Sequence, residues 1–242
     1  MWYVLIKKDY VEFYLNNIKT VYPVNNCRSV DVNNEIIYFL SDTFVCAYKG
    51  ERLLFNKATV ENYCDKIVVK DYIYICGTDS GTLYKYDLCG NIIESIKIGE
   101  HISDFEINEN IYVLSYFDYK LTVLNNFKIL KVIYFSNYPE NIIVQNKIYL
   151  LMRNEFYSCI YMFDNNFTLL KKVKLKGQIA KLKNFNNKII FDGDDERIVF
   201  NENLTILSNK KSTGVNLCNF SNYPVCYNKK YLDIFNNVIY PL

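Results

Sequence analysis

Residues 102–135 read ISDFEINENIYVLSYFDYKLTVLNNFKILKVIYF. The stretch divides into four apolar runs, ISDFEINEN, IYVLSYFDY, KLTVLNNF and KILKVIYF, joined by turns of Asn, Asp and Glu. These runs are labelled A to D. They are short and rich in Ile, Val, Leu, Tyr and Phe, residues that fit a pleated, half-buried surface. Period-two alternation shows in the preceding segment, as Leu83-Tyr84-Lys85-Tyr86 and Ile96-Lys97-Ile98. That period belongs to strands and not to helices.

The unit recurs along the chain. A turn containing Asn or Lys followed by an apolar B run appears as NNEIIYFL, KDYIYIC, NENIYVL, QNKIYLL, NNKIIF and NKKYLDIF. The apolar runs begin at Ile36, Ile73, Ile111, Ile148, Ile189 and Tyr231, at intervals of 37, 38, 37, 41 and 42 residues, and a further B-like run begins at Trp2. A-like runs fall at 28–35, 64–72, 102–110, 140–147, 179–188 and 224–230. The turn from B to C carries Asp42, Asp79, Asp118 or Asp195, which we expect to cap the hairpin, and strand C ends on Asp87, Asn125, Asp164 or Asn201. The pentapeptide FSNYP occurs at 135–139 and again at 220–224, both times between D and A. A period near 40 with four strands per unit is that of propeller blades, which bury their faces only by stacking on one another. The expected fold is therefore an all-β propeller of about six four-stranded blades, with seven as the alternative, in a single domain spanning 1–242.

Composition agrees and narrows the function classes. Half of the residues are hydrophobic, with 23 Tyr and 16 Phe. Lys and Arg (28) nearly balance Asp and Glu (26), and a net charge of +2 offers no overall electrostatic footprint for nucleic acid or an anionic membrane. Neither partner is expected. Eight cysteines form no C-x-x-C pair, and His101 is the only histidine, so no zinc site is expected. Residues 1–24 lack the pattern of a signal peptide. Free thiols in a cytoplasmic, reducing setting are the expectation.

The segment YIYICGTDSGTLYKYDLCGNIIESIKI at 72–98 resembles a blade of the WD-repeat and quinoprotein-like propeller superfamily. Tyr86-Asp87 stands where those repeats carry Trp-Asp; there is no Gly-His pair, and Trp2 is the only tryptophan. The resemblance implies a fold and carries no cofactor.

Candidate chemistry is sparse. His101, in GEHIS, could act as a general base but lacks a repeated partner. The run of Asp192, Asp194, Asp195 and Glu196 reads as a turn and not as a twelve-residue calcium loop. No G-x-S-x-G elbow and no Gly-rich phosphate loop is present. No catalytic, cofactor or metal residue is assigned. The connections from D to A are aromatic and polar, and Tyr63, His101, Asn137, Tyr138, Asn222 and Tyr223 are the candidate binding residues. Tyr presents a large rigid face with a polar tip, which suits a partner interface. The function these features favour is a non-catalytic module binding a protein or peptide. A propeller enzyme of lactonase or lyase type, using His101 and nearby acids, and a glycan-binding propeller, using Tyr and Asn, are the alternatives.

Overall fold

The computed structural model describes residues 2–16, 18–176, 180–185, 187–193, 196–211, 230–232 and 239–241. Among these, every regular element is a strand. β1 (Trp2–Ile6), β2 (Val11–Leu15) and β3 (Ile18–Tyr22) form a three-stranded antiparallel sheet. Five four-stranded sheets follow, each a meander in chain order. The second contains β4 (Cys27–Asn33), β5 (Ile36–Ser41), β6 (Phe44–Lys49) and β7 (Arg52–Ala58). The third contains β8 (Cys64–Val69), β9 (Ile73–Gly77), β10 (Thr82–Tyr86) and β11 (Ile92–Lys97). The fourth contains β12 (Ile102–Ile107), β13 (Ile111–Ser115), β14 (Lys120–Asn125) and β15 (Lys128–Tyr134). The fifth contains β16 (Tyr138–Val144), β17 (Ile148–Arg153), β18 (Ser158–Phe163) and β19 (Leu169–Leu175). The sixth contains β20 (Ala180–Phe185), β21 (Lys188–Gly193), β22 (Glu196–Phe200) and β23 (Ile206–Lys211). A short pair, β24 (Lys230–Leu232) with β25 (Ile239–Pro241), completes the described strands. The fold is an all-β, six-bladed β-propeller, with the blade count that the repeat favours. The predicted A run at 224–230 lies almost wholly outside the described residues, as does the second FSNYP, with Asn222 and Tyr223.

The chain packs as two compact units, the first holding blades one, two and most of three, the second holding blades four to six with Thr78–Thr82. In each unit the apolar side chains of neighbouring sheets interdigitate. Tyr38, Leu40 and Ala47 of blade two meet Ile67, Ile73, Ile75 and Tyr84 of blade three. Leu114, Leu121 and Val123 of blade four meet Ile142, Leu150 and Met152 of blade five. Tyr149, Leu151 and Ile160 of blade five meet Ile189, Phe191 and Phe200 of blade six. Strands B and C are consequently buried on both faces, while strand D is exposed along most of its length.

Polar side chains on the inner A strands tie one blade to the next. The Val69 N–H donates to Asp31 Oδ2 at 2.7 Å, and the Ile67 N–H to Ser29 Oγ at 3.2 Å. In the second unit the Ile142 N–H donates to Asp104 Oδ2 at 3.0 Å, and the Leu182 N–H to Asn141 Oδ1 at 3.3 Å. These bonds give otherwise orphaned inner-strand donors a partner, which buried backbone requires. Burial pushes the Asp31 carboxyl above its usual range, against the bonds from the Val69 and Val32 amides.

The Asx turns lie between C and D. Asp164 Oδ1 accepts the Asn166 and Thr168 amides, Asn201 Oδ1 those of Asn203 and Thr205, and Asp87 Oδ1 those of Cys89 and Asn91. The fourth residue of each turn is left-handed: Gly90 (φ 80°), Phe167 (φ 67°) and Leu204 (φ 53°). Leu204 is 3% exposed, so its burial offsets a backbone conformation that glycine adopts without strain. The acids between B and C also reach beyond the hairpin they are expected to cap. Asp42 Oδ1 accepts from Arg28 Nε, and Asp118 Oδ2 accepts the Glu100 N–H at 2.9 Å together with the Ser115 hydroxyl. They fasten the turn to strand A or to the connection before it. Asp195 lies outside the described residues.

Candidate functional site

In a four-stranded meander, the B–C turn, the start of A and the end of D share one edge of the sheet. In the second unit this edge gathers three of the residues singled out from sequence. His101 precedes β12, and its carbonyl accepts the Tyr116 N–H at 2.8 Å. Its ring packs edge-on against Tyr116 (5.9 Å between centroids) and Phe117 (5.3 Å). Its Nδ1 lies 3.7 Å from Asp79 Oδ1, a carboxylate that is 75% exposed and therefore well screened. Tyr138, which opens β16, stacks on Tyr116 at 4.7 Å with 20° between planes and tilts over Tyr119 at 4.6 Å. The Asn137 side-chain amide donates to the Tyr161 hydroxyl at 3.2 Å.

The same cluster contains residues that sequence reasoning did not select. Arg153, at the end of β17, donates to the Tyr116 hydroxyl and sits 5.5 Å from the centre of that ring. Its Nε also pairs with Glu140 Oε1 at 3.0 Å. Glu140 occupies a β-bulge in β16, which aims its side chain at Arg153. Burial pushes the Glu140 carboxyl up to about 7, the Arg153 and Lys181 charges acting in the opposite direction. Tyr119 closes the B–C turn in a left-handed conformation (φ 53°), its N–H bonded to the Tyr116 carbonyl. The stack of Tyr116, Tyr138 and Arg153 is thus held by ring contacts, a bulge and an ion pair. Two further rings are exposed on B–C turns of this edge: Phe117, which packs against Tyr116 at 5.2 Å, is 57% exposed, and Phe156 is 80% exposed. The Asn154 side chain accepts the Phe156 and Tyr157 amides and so fixes that second turn.

Tyr63 belongs to the first unit. It lines an open cleft of about 440 Å³ with Asn25, Asn26, Ser41, Asp42, Thr43, Phe44 and Asn62. Its left-handed backbone (φ 62°) is fixed by its N–H bonding to the Asp42 carbonyl, which leaves the ring 57% exposed.

Chemically, both places are suited to recognition. Among the described residues no group of three His, Cys, Asp or Glu side chains could hold a metal ion. Asp192, from the acidic run, is nearly buried and accepts from Arg197 Nε at 2.9 Å, while Asp194 and Asp195 lie outside the described residues. The six described cysteines are free thiols, five of them buried, and burial raises Cys46 to about 12. That shift works against a nucleophilic thiolate.

No family model matches the chain, and no curated protein matches it. Solved structures do match in fold. The WD40 domain of Neurospora crassa Pan2 superposes with a TM-score of 0.64 at 14% identity, covering 77% of this chain and 66% of that domain. BBS1N, crystallised in complex with ARL6DN, gives a TM-score of 0.69 at 13% identity, with 91% and 80% covered. BamB from Moraxella catarrhalis gives 0.63 at 13% identity, with 94% and 74% covered. WD40 domains and a quinoprotein-like propeller are therefore both among the structural neighbours, as the resemblance of residues 72–98 implies.

Proposed function

We propose that this chain is a non-catalytic propeller that binds a protein or peptide through the aromatic edge of its second unit. The observation carrying this reading is the pair Phe117 and Phe156, exposed on B–C turns of the same edge as the preorganised stack of Tyr116, Tyr138 and Arg153. Rigid aromatic and Arg side chains are the groups that dominate protein interfaces. Asp79, the acidic neighbour of His101, is 75% exposed, and among the described residues no group of three His, Cys, Asp or Glu side chains could hold a metal ion. The complex of BBS1N with ARL6DN supports the reading, because a propeller of similar fold there engages a protein. The free thiols are compatible with the cytoplasmic setting we assign.

The test is affinity enrichment from cell extract with wild type and with the double variant Phe117→Ala, Phe156→Ala. Truncating an interface aromatic removes about 2 kcal/mol of binding, or about thirtyfold per residue. The expected result is a set of proteins retained by wild type and lost by the variant, with unchanged thermal stability. Equal retention by both proteins would refute the assignment of this edge.

One observation favours a second reading. Asn25, Asn26, Asn62 and Tyr63 meet in the cleft of the first unit, and planar amides around an exposed aromatic ring suit a glycan. Titration with a soluble oligosaccharide panel, comparing wild type with Tyr63→Ala, separates the two readings.

A further inference from the structure

The chain's near-zero net charge conceals a segregation of charge by strand position. The six outer strands are β3, β7, β11, β15, β19 and β23. Together they contain eleven Lys and Arg residues and a single carboxylate, Glu94. Against totals of 28 basic and 26 acidic residues, the rest of the chain is net negative. Each of the last five of these strands also carries an apolar pair near its start: Leu53-Leu54, Ile92-Ile93, Ile129-Leu130, Leu169-Leu170 and Ile206-Leu207. All ten side chains are exposed, between 41% and 65%.

The pattern is densest on blades four and five of the second unit. β15 reads KILKVIY and β19 reads LLKKVKL, five lysines with no acid. Lys128, Lys131, Lys171, Lys172 and Lys174 are all exposed. Lys131, Lys172 and Lys174 lie over the rings of Phe167, Tyr161 and Tyr157, which orders their stems and leaves their charge at the surface. Leu130 and Leu170 are both bulge residues: pairing passes from Leu124↔Ile129 to Val123↔Lys131, and from Phe163↔Leu169 to Met162↔Lys171.

The geometry points to an anionic lipid bilayer as the partner of this outer edge, and we propose that blades four and five adsorb to one. A solvated edge needs lysines and bulges to block strand addition, but it does not need an exposed aliphatic pair on five of its six blades. The bulges also interrupt the backbone row that an added peptide strand would use. Nucleic acid would be met by Arg and by a series of stacking rings, whereas these strands carry no Arg, a single exposed ring, Tyr134, and Lys beside Leu and Ile. Aliphatic side chains entering the headgroup boundary, flanked by lysines, are the combination that holds proteins at an anionic interface.

The experiment is co-sedimentation of the full chain with vesicles of phosphatidylcholine alone and with 30% phosphatidylserine, at low and high salt. A single-stranded RNA and a duplex DNA serve as competing probes. Two variants test separate halves of the argument: Leu130→Asn with Leu170→Asn, and Lys128→Gln with Lys172→Gln. Thermal unfolding verifies that each is folded, and the two pairs are independent if one is not. Wild type is expected to sediment with the phosphatidylserine vesicles, not with phosphatidylcholine alone, and to be released by salt. Each lysine near a charged surface is worth about fivefold in partitioning, so the lysine pair should lower it by about twenty-fivefold and the leucine pair by at least tenfold. Equal sedimentation with both vesicle types, capture by the nucleic acids instead of the vesicles, or undiminished binding by a folded variant would overturn the proposal.

Discussion

Replacing Asp104 by Ala tests whether the inner-strand side chains hold consecutive blades together. Asp104 is 7% exposed. Its Oδ1 accepts the Phe105 N–H at 2.8 Å, and its Oδ2 accepts the Ile142 N–H at 3.0 Å and the Asn141 amide at 3.3 Å. Asn141 passes the link on to the Leu182 N–H. A hydrogen bond to a charged group contributes about 1.5–3 kcal/mol, and a buried amide left without a partner costs about 1–3 kcal/mol. Ile142 is 1% exposed, so water cannot readily replace the lost acceptor. The expected loss for Asp104→Ala is about 3–4 kcal/mol, measured by urea denaturation at neutral pH. Asp104→Asn keeps one acceptor oxygen and should cost about half as much. Its amide meets the Asn141 amide, so Asn141 must either turn over, giving up Leu182, or lose its bond. Asp104→Ala and Asn141→Ala should therefore be coupled by more than about 0.5 kcal/mol in a double-mutant cycle. A loss below about 1 kcal/mol for Asp104→Ala, or strict additivity, would show that the Asp104 bonds contribute little to joining blades four and five.

Burial raises the Glu140 carboxyl from 4.5 to about 7 even beside Arg153, so folding disfavours its charge relative to the unfolded chain; that contribution to stability is full below about pH 4.5 and is lost as pH rises through about 7. Glu140→Gln should flatten that part of the stability–pH curve, by at most about 3 kcal/mol, in thermal melts between pH 4.5 and 8. Gly81→Ala should destabilise by about 2 kcal/mol or more, because Gly81 is left-handed (φ 62°) and a β-carbon there would lie 2.0 Å from the Gly99 carbonyl oxygen; a neutral melt would contradict that geometry. Tyr138→Ala, which loses two ring partners, should cost the fold about 2 kcal/mol, and Phe117→Ala, largely exposed, within about half a kcal/mol; equal costs in a melt would contradict the division between stack and projecting rings. Cys89 is the exposed thiol among the six described, and it should react with Ellman's reagent in native protein long before Cys27, Cys46, Cys64, Cys76 or Cys159.

What could be read without coordinates is what local chemistry determines. Strands β5, β9, β13 and β17 begin at the isoleucines that mark the predicted B runs, because a polar turn followed by an apolar run is visible within ten residues. The turns after Asp87, Asp164 and Asn201 are local in the same sense, each closed by one side chain on amides two and four residues ahead. The bonds from Asp104 and Asn141 span 38 and 41 residues, and nothing in a single repeat distinguishes an inner-strand Asp from a solvated one. The acids between B and C illustrate the same limit. Their recurrence at one phase is visible, but Asp118 reaches Glu100, 18 residues away, and that partner is set by how the connection folds over the turn.

The proposed binding edge was half legible for a related reason. Tyr138 stood out because FSNYP is duplicated, and His101 because it is the only histidine. Tyr116, Phe117, Arg153 and Phe156 lie in or beside B–C turns of different composition, YFDY and NEFY, so no shared motif marks them. They become one cluster only when consecutive sheets stack, which brings the turn of blade four onto the start of β16 in blade five. Charge is hidden still more completely. A net value of +2 sums over every strand position, whereas the basic surface lies on the outermost strand of each sheet. Once the runs are sorted by their place in the blade, the lysines of KILKVIY and LLKKVKL separate from the acids of the turns.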